Sequence, residues 1–210
     1  MNDTRATSPQ RYALSFTTGA LLAREGALLA AVYAERRDWE QVRDQAVEGN
    51  LLQTRTRSTG VRLARETVKR VSALTDDEID LLVEATASER AHLMWAAACR
   101  RYDLIGEFAE EVLRERYLTM AATLTYENFD SFIRTKALWH EELATIKAST
   151  LQKLRSTVLK MLREADLVSE EGAIMPAVLS ERVTAMLIAR MPSDLRFFPT
   201  QGAPDQGTTR

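Results

Sequence analysis

The chain has one cysteine, Cys99, in 210 residues. That excludes an internal disulfide framework and a thiolate zinc cluster, and it fits a reducing compartment. The two histidines, His92 and His140, leave little for metal or acid–base chemistry. His140-Glu141-Glu142 lacks the second histidine of a zinc-protease helix, and neither a glycine-rich phosphate loop nor a nucleophile elbow is present. Acidic pairs such as Asp76-Asp77 and Glu110-Glu111 read as solvated or capping groups, the histidines as packing or surface residues, and Cys99 as a small buried hydrophobe. The expectation is a non-enzyme with no catalytic residue, metal, cofactor or small-molecule substrate. Long apolar runs are missing as well. Residues 20–32 are interrupted by Arg24 and Glu25, and residues 93–99 fall far short of the roughly 20 needed to cross a bilayer. The opening MNDTRATSPQR is polar, without the apolar centre of a signal peptide. A soluble, cytoplasmic chain with no membrane partner is expected. The net charge of −2 excludes a uniformly basic nucleic-acid coat, though not local patches.

Proline is absent between residues 10 and 175, and glycine is sparse there. A span so poor in helix breakers and rich in Ala, Leu, Glu and Arg predicts stacked helices. Caps place the starts. Thr17 or Thr18 opens a helix to about Arg36, Asp38 one to about Gly49, and Ser58 one to about Ala73. Thr75, with Glu78 completing a capping box, opens the next. Ser88 opens a long stretch to about Leu118, broken near Tyr102 or Gly106. Thr125 leads to about Leu143, Ser149 to about Ala165, and Ser180 to a helix ending before Pro192. In DLVSEEGAIMP, Leu167 and Val168 suit a short strand, Glu170-Glu171-Gly172 a turn, and residues 173–175 a return strand. Two helices followed by a small hairpin have the order of a winged helix-turn-helix. The fold class expected is all-α: a multi-helix N-terminal bundle (12–122) followed by a winged helix-turn-helix-like module (123–192) with a short β-hairpin. A flexible N-terminus (1–11) and a flexible tail (193–210) flank them, with Phe197 and Phe198 able to dock. Trp39, Trp95 and Trp139 read as core anchors.

Positive charge gathers in two places. Residues 55–70 hold Arg55, Arg57, Arg62, Arg65, Lys69 and Arg70 against Glu66 alone. On a helix Arg62, Arg65 and Lys69 share one side, roughly opposite Val61, Ala64, Val68 and Val71. Arg55, Thr56, Arg57, Ser58 and Thr59 bring guanidinium groups, hydroxyls and free amides to one end, which suits a phosphate. The competing reading is an internal ion network. Residues 75–89 carry Asp76, Asp77, Glu78, Asp80, Glu84 and Glu89 with no base, and Arg62, Glu66 and Arg70 sit at helical pairing distance. The second region holds Arg134, Lys136, Lys147, Lys153, Arg155, Lys160 and Arg163 against Glu141 and Glu142. At 100° per residue, Leu151, Leu154, Val158, Met161, Leu162 and Ala165 fall on one face. Ser149, Gln152, Lys153, Ser156, Lys160 and Arg163 fall opposite. Gln and Lys reach base edges in a major groove, and Ser donates to bases or phosphates. An ordinary solvated face is the competing reading, and Glu170 and Glu171 at the turn would repel a phosphate backbone. The candidate DNA-binding residues are thus Arg55, Arg57, Arg62, Arg65, Lys69, Ser149, Gln152, Lys153, Ser156, Lys160 and Arg163.

Four segments, taken in order, resemble one family: YALSFTTGALL, NLLQTRTRSTGVRLARETVKRVSALTDDEIDLL, LMWAAACRRYDLIGEFAEEVLRERYL and FIRTKALWHEELATIKASTLQKLRSTVLKMLREADLV. Together they are similar to the BrxA family, a small component of bacteriophage exclusion (BREX) defence systems, over about residues 12–190. The resemblance implies an all-helical protein similar to the antitermination factor NusB and associated with double-stranded DNA. Some relatives carry an inner-membrane label, against which the lack of a long apolar segment stands. The function expected is a non-enzymatic component that holds double-stranded DNA through its backbone phosphates, with weak or no sequence preference, for other BREX proteins to act on. RNA binding in the manner of NusB, and a protein adaptor within the defence complex, are the alternatives.

Overall fold

The structure is a computed structural model and describes residues 11–201. Expectations for residues 1–10 and 202–210 lie outside the described residues. The first helix, α1 (Ala23–Arg36), starts after Leu22, whose φ of 62° turns the chain into it; Thr17 and Thr18 do not cap it. The irregular segment before it is instead packed, with Tyr12, Phe16, Leu21 and Leu22 buried. Local chemistry sets the next starts. Asp38 caps α2 (Trp39–Glu48), and Thr56 caps α3 (Arg57–Val71). Reciprocal boxes, Thr75 with Glu78 and Thr86 with Glu89, open α4 (Asp76–Glu84) and α5 (Ala87–Arg101). The expected break at Tyr102 is present: its extended backbone turns the ring into the core. There follow α6 (Asp103–Phe108), a π-helical stretch (Ala109–Arg114) and α7 (Glu115–Leu118). Beyond a short connection come α8 (Tyr126–Lys136), α9 (Glu141–Ala144), α10 (Ala148–Glu164) and α11 (Glu181–Ile188), then a 3-10 turn (Asp194–Phe197).

The all-α expectation holds, but no strand forms among the described residues. The segment after α10 does turn at Gly172, whose φ is 87°, yet it makes only an isolated antiparallel bridge, Val168 with Ile174. A second bridge joins Thr123 to Ala173. Pairing cannot lengthen into a hairpin because the Leu167 amide is tied back to the Leu162 carbonyl of α10 and Pro176 offers no amide.

Helix α5 lies at the centre. Residues 91–99 are all buried, and α1, α3, α4, α10 and α11 pack on it. Its run of small side chains after Trp95 lets these neighbours approach closely. One core cluster gathers side chains from both sides of residue 122, from Phe16, Trp95 and Phe108 to Phe129, Leu162 and Phe198. A smaller cluster, Leu29, Val42, Ala46, Leu52 and Ala64, holds α1, α2 and α3 together.

Two sequence expectations are corrected. Residues 193–200, read as part of a flexible tail, are packed. Phe197 and Phe198 dock as expected and are buried, the Trp95 indole N–H donates to the Phe197 carbonyl at 2.9 Å, and the Ala177 amide donates to that of Pro199. Trp139, read as a core anchor, is 74% exposed beside Leu138 at 76%. The reason is that α8 stops at Lys136 instead of running to Leu143, so the pair sits on a turn pointing outward. Trp39 is half-buried, stacked on Tyr33 with ring centres 3.9 Å apart. Among the described residues no helix is long and apolar enough to cross a membrane.

Candidate nucleic-acid interface

The cations of α3 divide sharply by burial. Arg70 is fully buried, and its guanidinium bonds Glu66, itself 4% exposed, at 2.7 Å. The same group donates to the carbonyls of Phe16 and Ala20, fixing the N-terminal segment on α3. The Tyr102 hydroxyl, 2.9 Å from the Glu66 carboxylate, has its pKa pushed up to about 12 by burial and by that negative neighbour. By contrast Arg55, Arg57, Arg62, Arg65 and Lys69 are exposed and make no ion pair with any described residue. Arg57 and Arg65 flank a cavity of about 340 Å³ between α2 and α3, which Val61, Val47, Asp44 and Glu48 also line.

The acidic stretch that could have quenched this strip is engaged elsewhere. Asp76 and Asp80 pair with Arg37, at 3.3 and 2.8 Å. Glu78 takes two guanidinium bonds from Arg100, which also binds Asp194 at 2.6 Å. Glu84 and Glu89 pair with Arg182. Burial pushes the Glu78 carboxyl up, but the Arg100 and Thr75 bonds outweigh it and hold its pKa below the ordinary value. Arg182, the Thr86 amide and Ser180 hold Glu89 far below the ordinary range. The internal-network reading is therefore right for Glu66 and Arg70, and the rest of the strip faces solvent. The hydroxyls at the start of α3 are less available than the sequence suggests. Thr56 accepts the Thr59 amide, and its hydroxyl lies 2.9 Å from that of Thr59 and 3.3 Å from that of Ser58.

On α10 the two faces sort as expected. Leu154, Val158, Met161 and Leu162 are buried, while Ser149, Gln152, Lys153, Ser156 and Lys160 are exposed and Arg163 is half-buried. Lys160 lies 3.8 Å from Glu164, and Arg163 lies 3.5 Å from Glu170 at the following turn. Arg155 is drawn to Asp130 at 2.6 Å and over the Tyr126 ring. In the second basic region Lys136 is held by Glu107 and Glu111. Ser149, Gln152, Lys153, Ser156 and Thr157 line a cavity of about 570 Å³ whose other wall is Thr17. Sequence reasoning took Thr17 only for a helix cap, and its place beside α10 has no local signal. The N-terminal segment lies between the two surfaces: Arg70 of α3 holds one part of it, and Glu164 of α10 accepts the Leu21 amide at 2.8 Å. The structure thus does not merge the candidate residues into one patch; it gives two surfaces, α3 and α10.

Cys99 is buried and its thiol pKa is pushed well up by desolvation; His92 is buried, which lowers its pKa. Among the described residues no group of His, Cys, Asp and Glu is clustered to hold a metal.

The profile of the BrxA family matches residues 10–191. The BREX protein BrxA of Escherichia coli O9:H4 (strain HS) is 25% identical over 150 residues, covering 71% of this chain and 70% of that protein. The BREX protein BrxA of Bacillus cereus (strain H3081.97) is 24% identical over 125 residues, 60% of this chain and 62% of that one. A crystal structure of an uncharacterized protein from Magnetospirillum magneticum shares the fold, with a TM-score of 0.74 over 90% of this chain and 98% of that one at 18% identity. The family match takes in both α3 and α10 with the core that presents them, and the chain belongs to the BrxA family.

Proposed function

We propose that this chain is a non-enzymatic component of a BREX anti-phage system, acting in the cytoplasm, that holds double-stranded DNA by its phosphates for other BREX proteins. One observation carries the reading: Arg55, Arg57, Arg62, Arg65 and Lys69 stay exposed and unpaired among the described residues, although a strongly acidic helix follows them in sequence. In a chain of net charge −2, such segregation directs a polyanion to one side. The order of elements lends support to a winged-helix reading of the C-terminal part. Helices α8 and α10, joined through α9, lead into the Gly172 turn, and the returning segment meets both Val168 and Thr123. In that reading α10 is the helix offered to the groove.

A duplex titration across salt tests the proposal. With six phosphates neutralised, log affinity falls against log salt with a slope of about −5, at roughly −0.9 per contact. The Arg62→Glu plus Arg65→Glu double variant binds duplex more weakly and keeps its melting temperature. A flat salt response removes the electrostatic reading, and preference for a matched structured RNA replaces DNA by RNA. The exposed Leu138 and Trp139 favour a second reading, a protein adaptor. Co-purification with BREX subunits, without a shift of any nucleic acid, supports it over the first.

A further inference from the structure

We infer that the two surfaces divide the work: α3 supplies charge alone, while α10, through Gln152 with Ser149 and Ser156, reads base edges in the duplex. The inference rests on the duplex-binding reading and goes beyond it, because phosphate contact by itself carries no sequence information.

The contrast in chemistry is the argument. On α3 five exposed cations face solvent, and the neighbouring hydroxyls of Thr56, Ser58 and Thr59 are drawn into the helix cap. On α10 the proportions are reversed. Lys160 and Arg163 lean toward Glu164 and Glu170, leaving Lys153 as the one cation of the cavity wall. Around it stand Thr17, Ser149, Gln152, Ser156 and Thr157, none of which makes a side-chain hydrogen bond to any described residue. Some helical hydroxyls turn inward: Thr67 and Thr135 each bond the carbonyl four residues back. Ser149 and Ser156 of α10 make no such bond and are exposed, open to an outside group. A neutral set of donors and acceptors with one ammonium can reach single phosphate oxygens but supplies little of the charge that a row of phosphates attracts. It matches the mixed donor and acceptor pattern of base edges, where a glutamine carboxamide pairs with the N6 and N7 of adenine.

Spacing agrees. Ser149, Gln152 and Ser156 share a face at steps of three and four residues and span about 10 Å along the axis at 1.5 Å per residue. That is about three base-pair steps at 3.4 Å each.

Selection from a pool of randomised duplex, followed by titration of the enriched and scrambled sequences across salt, tests this. The unmodified chain enriches a motif of about three to four base pairs that includes an adenine. Gln152→Ala loses roughly tenfold of the preference at that adenine and keeps the salt slope. Arg62→Ala plus Arg65→Ala keeps the motif and loses about 2 from the slope. Gln152 is exposed, so unchanged circular dichroism and melting temperature show that its variant is folded. Salt-dependent duplex binding with no enriched motif overturns the inference and leaves the duplex-binding reading intact. A motif that survives Gln152→Ala combined with Ser149→Ala and Ser156→Ala removes the assignment to α10. No duplex binding, or enrichment only from an RNA pool, overturns the underlying reading itself.

Discussion

Arg62 and Arg70 show how far a residue's fate is from its local sequence. Both stand four residues from Glu66 on the same helix, and pairing rules treat them alike. Arg70 is fully buried and Arg62 exposed because, on one side of the helix only, the Phe16 and Ala20 carbonyls accept from Arg70 while the Tyr102 hydroxyl donates to its partner Glu66. Removing Arg70 leaves the buried Glu66 carboxylate without a counter-charge and the Phe16 and Ala20 carbonyls without the guanidinium donor. Arg70→Ala is expected to lower stability by about 3–5 kcal/mol, read as a shift of the urea midpoint at constant slope. Arg65→Ala, by the same measurement, stays within about 0.5 kcal/mol. Equal losses from the two would mean that the strip is structural throughout. The separation of free from engaged cations, on which the candidate interface depends, was therefore beyond the reach of the sequence. The composition showed that a basic strip exists, and only long-range packing showed which member of it is internal.

Elements were more legible than residues, for a physical reason. Asp38, Thr75 with Glu78, and Ser180 announce helix starts through bonds that reach no more than three residues. The amphipathic pattern of α10 depends only on helical period. What failed were features set at a distance. Residues 125–143 read as one helix, yet the chain breaks after Lys136, whose ammonium is held by Glu107 and Glu111 while His140 stacks on Tyr12 at 4.0 Å. That break turns Trp139 outward. Trp139→Ser is expected to cost less than about 0.5 kcal/mol, whereas Trp95→Ala costs about 3–5 kcal/mol, since it empties the core and strands the Phe197 carbonyl. Paired thermal melts distinguish the two, and a large loss at Trp139 would contradict its exposure. The Gly172 turn is a sharper case. A Cβ there would stand 2.9 Å from the Leu124 carbonyl oxygen, at a φ that side chains rarely adopt. Gly172→Ala is expected to cost about 1–3 kcal/mol, and an unchanged melting temperature would show that the turn relaxes freely.

At the scale of the molecule, ion pairs bind the C-terminal part to the helical body and at the same time engage the carboxylates of α4. Glu78 joins α4 to Arg100 of α5, Arg100 joins Asp194 of the terminal turn, and Glu89 joins Arg182 of α11. This gives stability a definite pH dependence. Glu78 and Glu89 have folded pKa values below their ordinary 4.5. The unfolded chain therefore binds protons first as pH falls through 4.5, and the stabilisation from these pairs, complete above that value, is lost below it. His92 acts in the same direction from a higher starting point. Desolvation among the core side chains lowers its pKa below the ordinary 6.5, with Asp166 and Glu89 opposing, and Phe198 meets its ring edge-on at 5.9 Å. Below 6.5 the unfolded state takes up a proton that the folded state resists, so stability declines from about pH 6.5 downward and more steeply below 4.5. Urea midpoints at pH 8, 6, 5 and 4, for the natural chain and for His92→Gln, separate the two contributions. The variant is expected to lose the upper limb of the decline and keep the acid limb. A natural chain with a flat midpoint from pH 8 to 5 would mean that the imidazole takes up its proton as readily in the fold as in the unfolded chain. An acid limb missing from both would mean that Arg100 and Arg182 do not hold their carboxylates, and the acidic helix would then be free to claim the cations of α3.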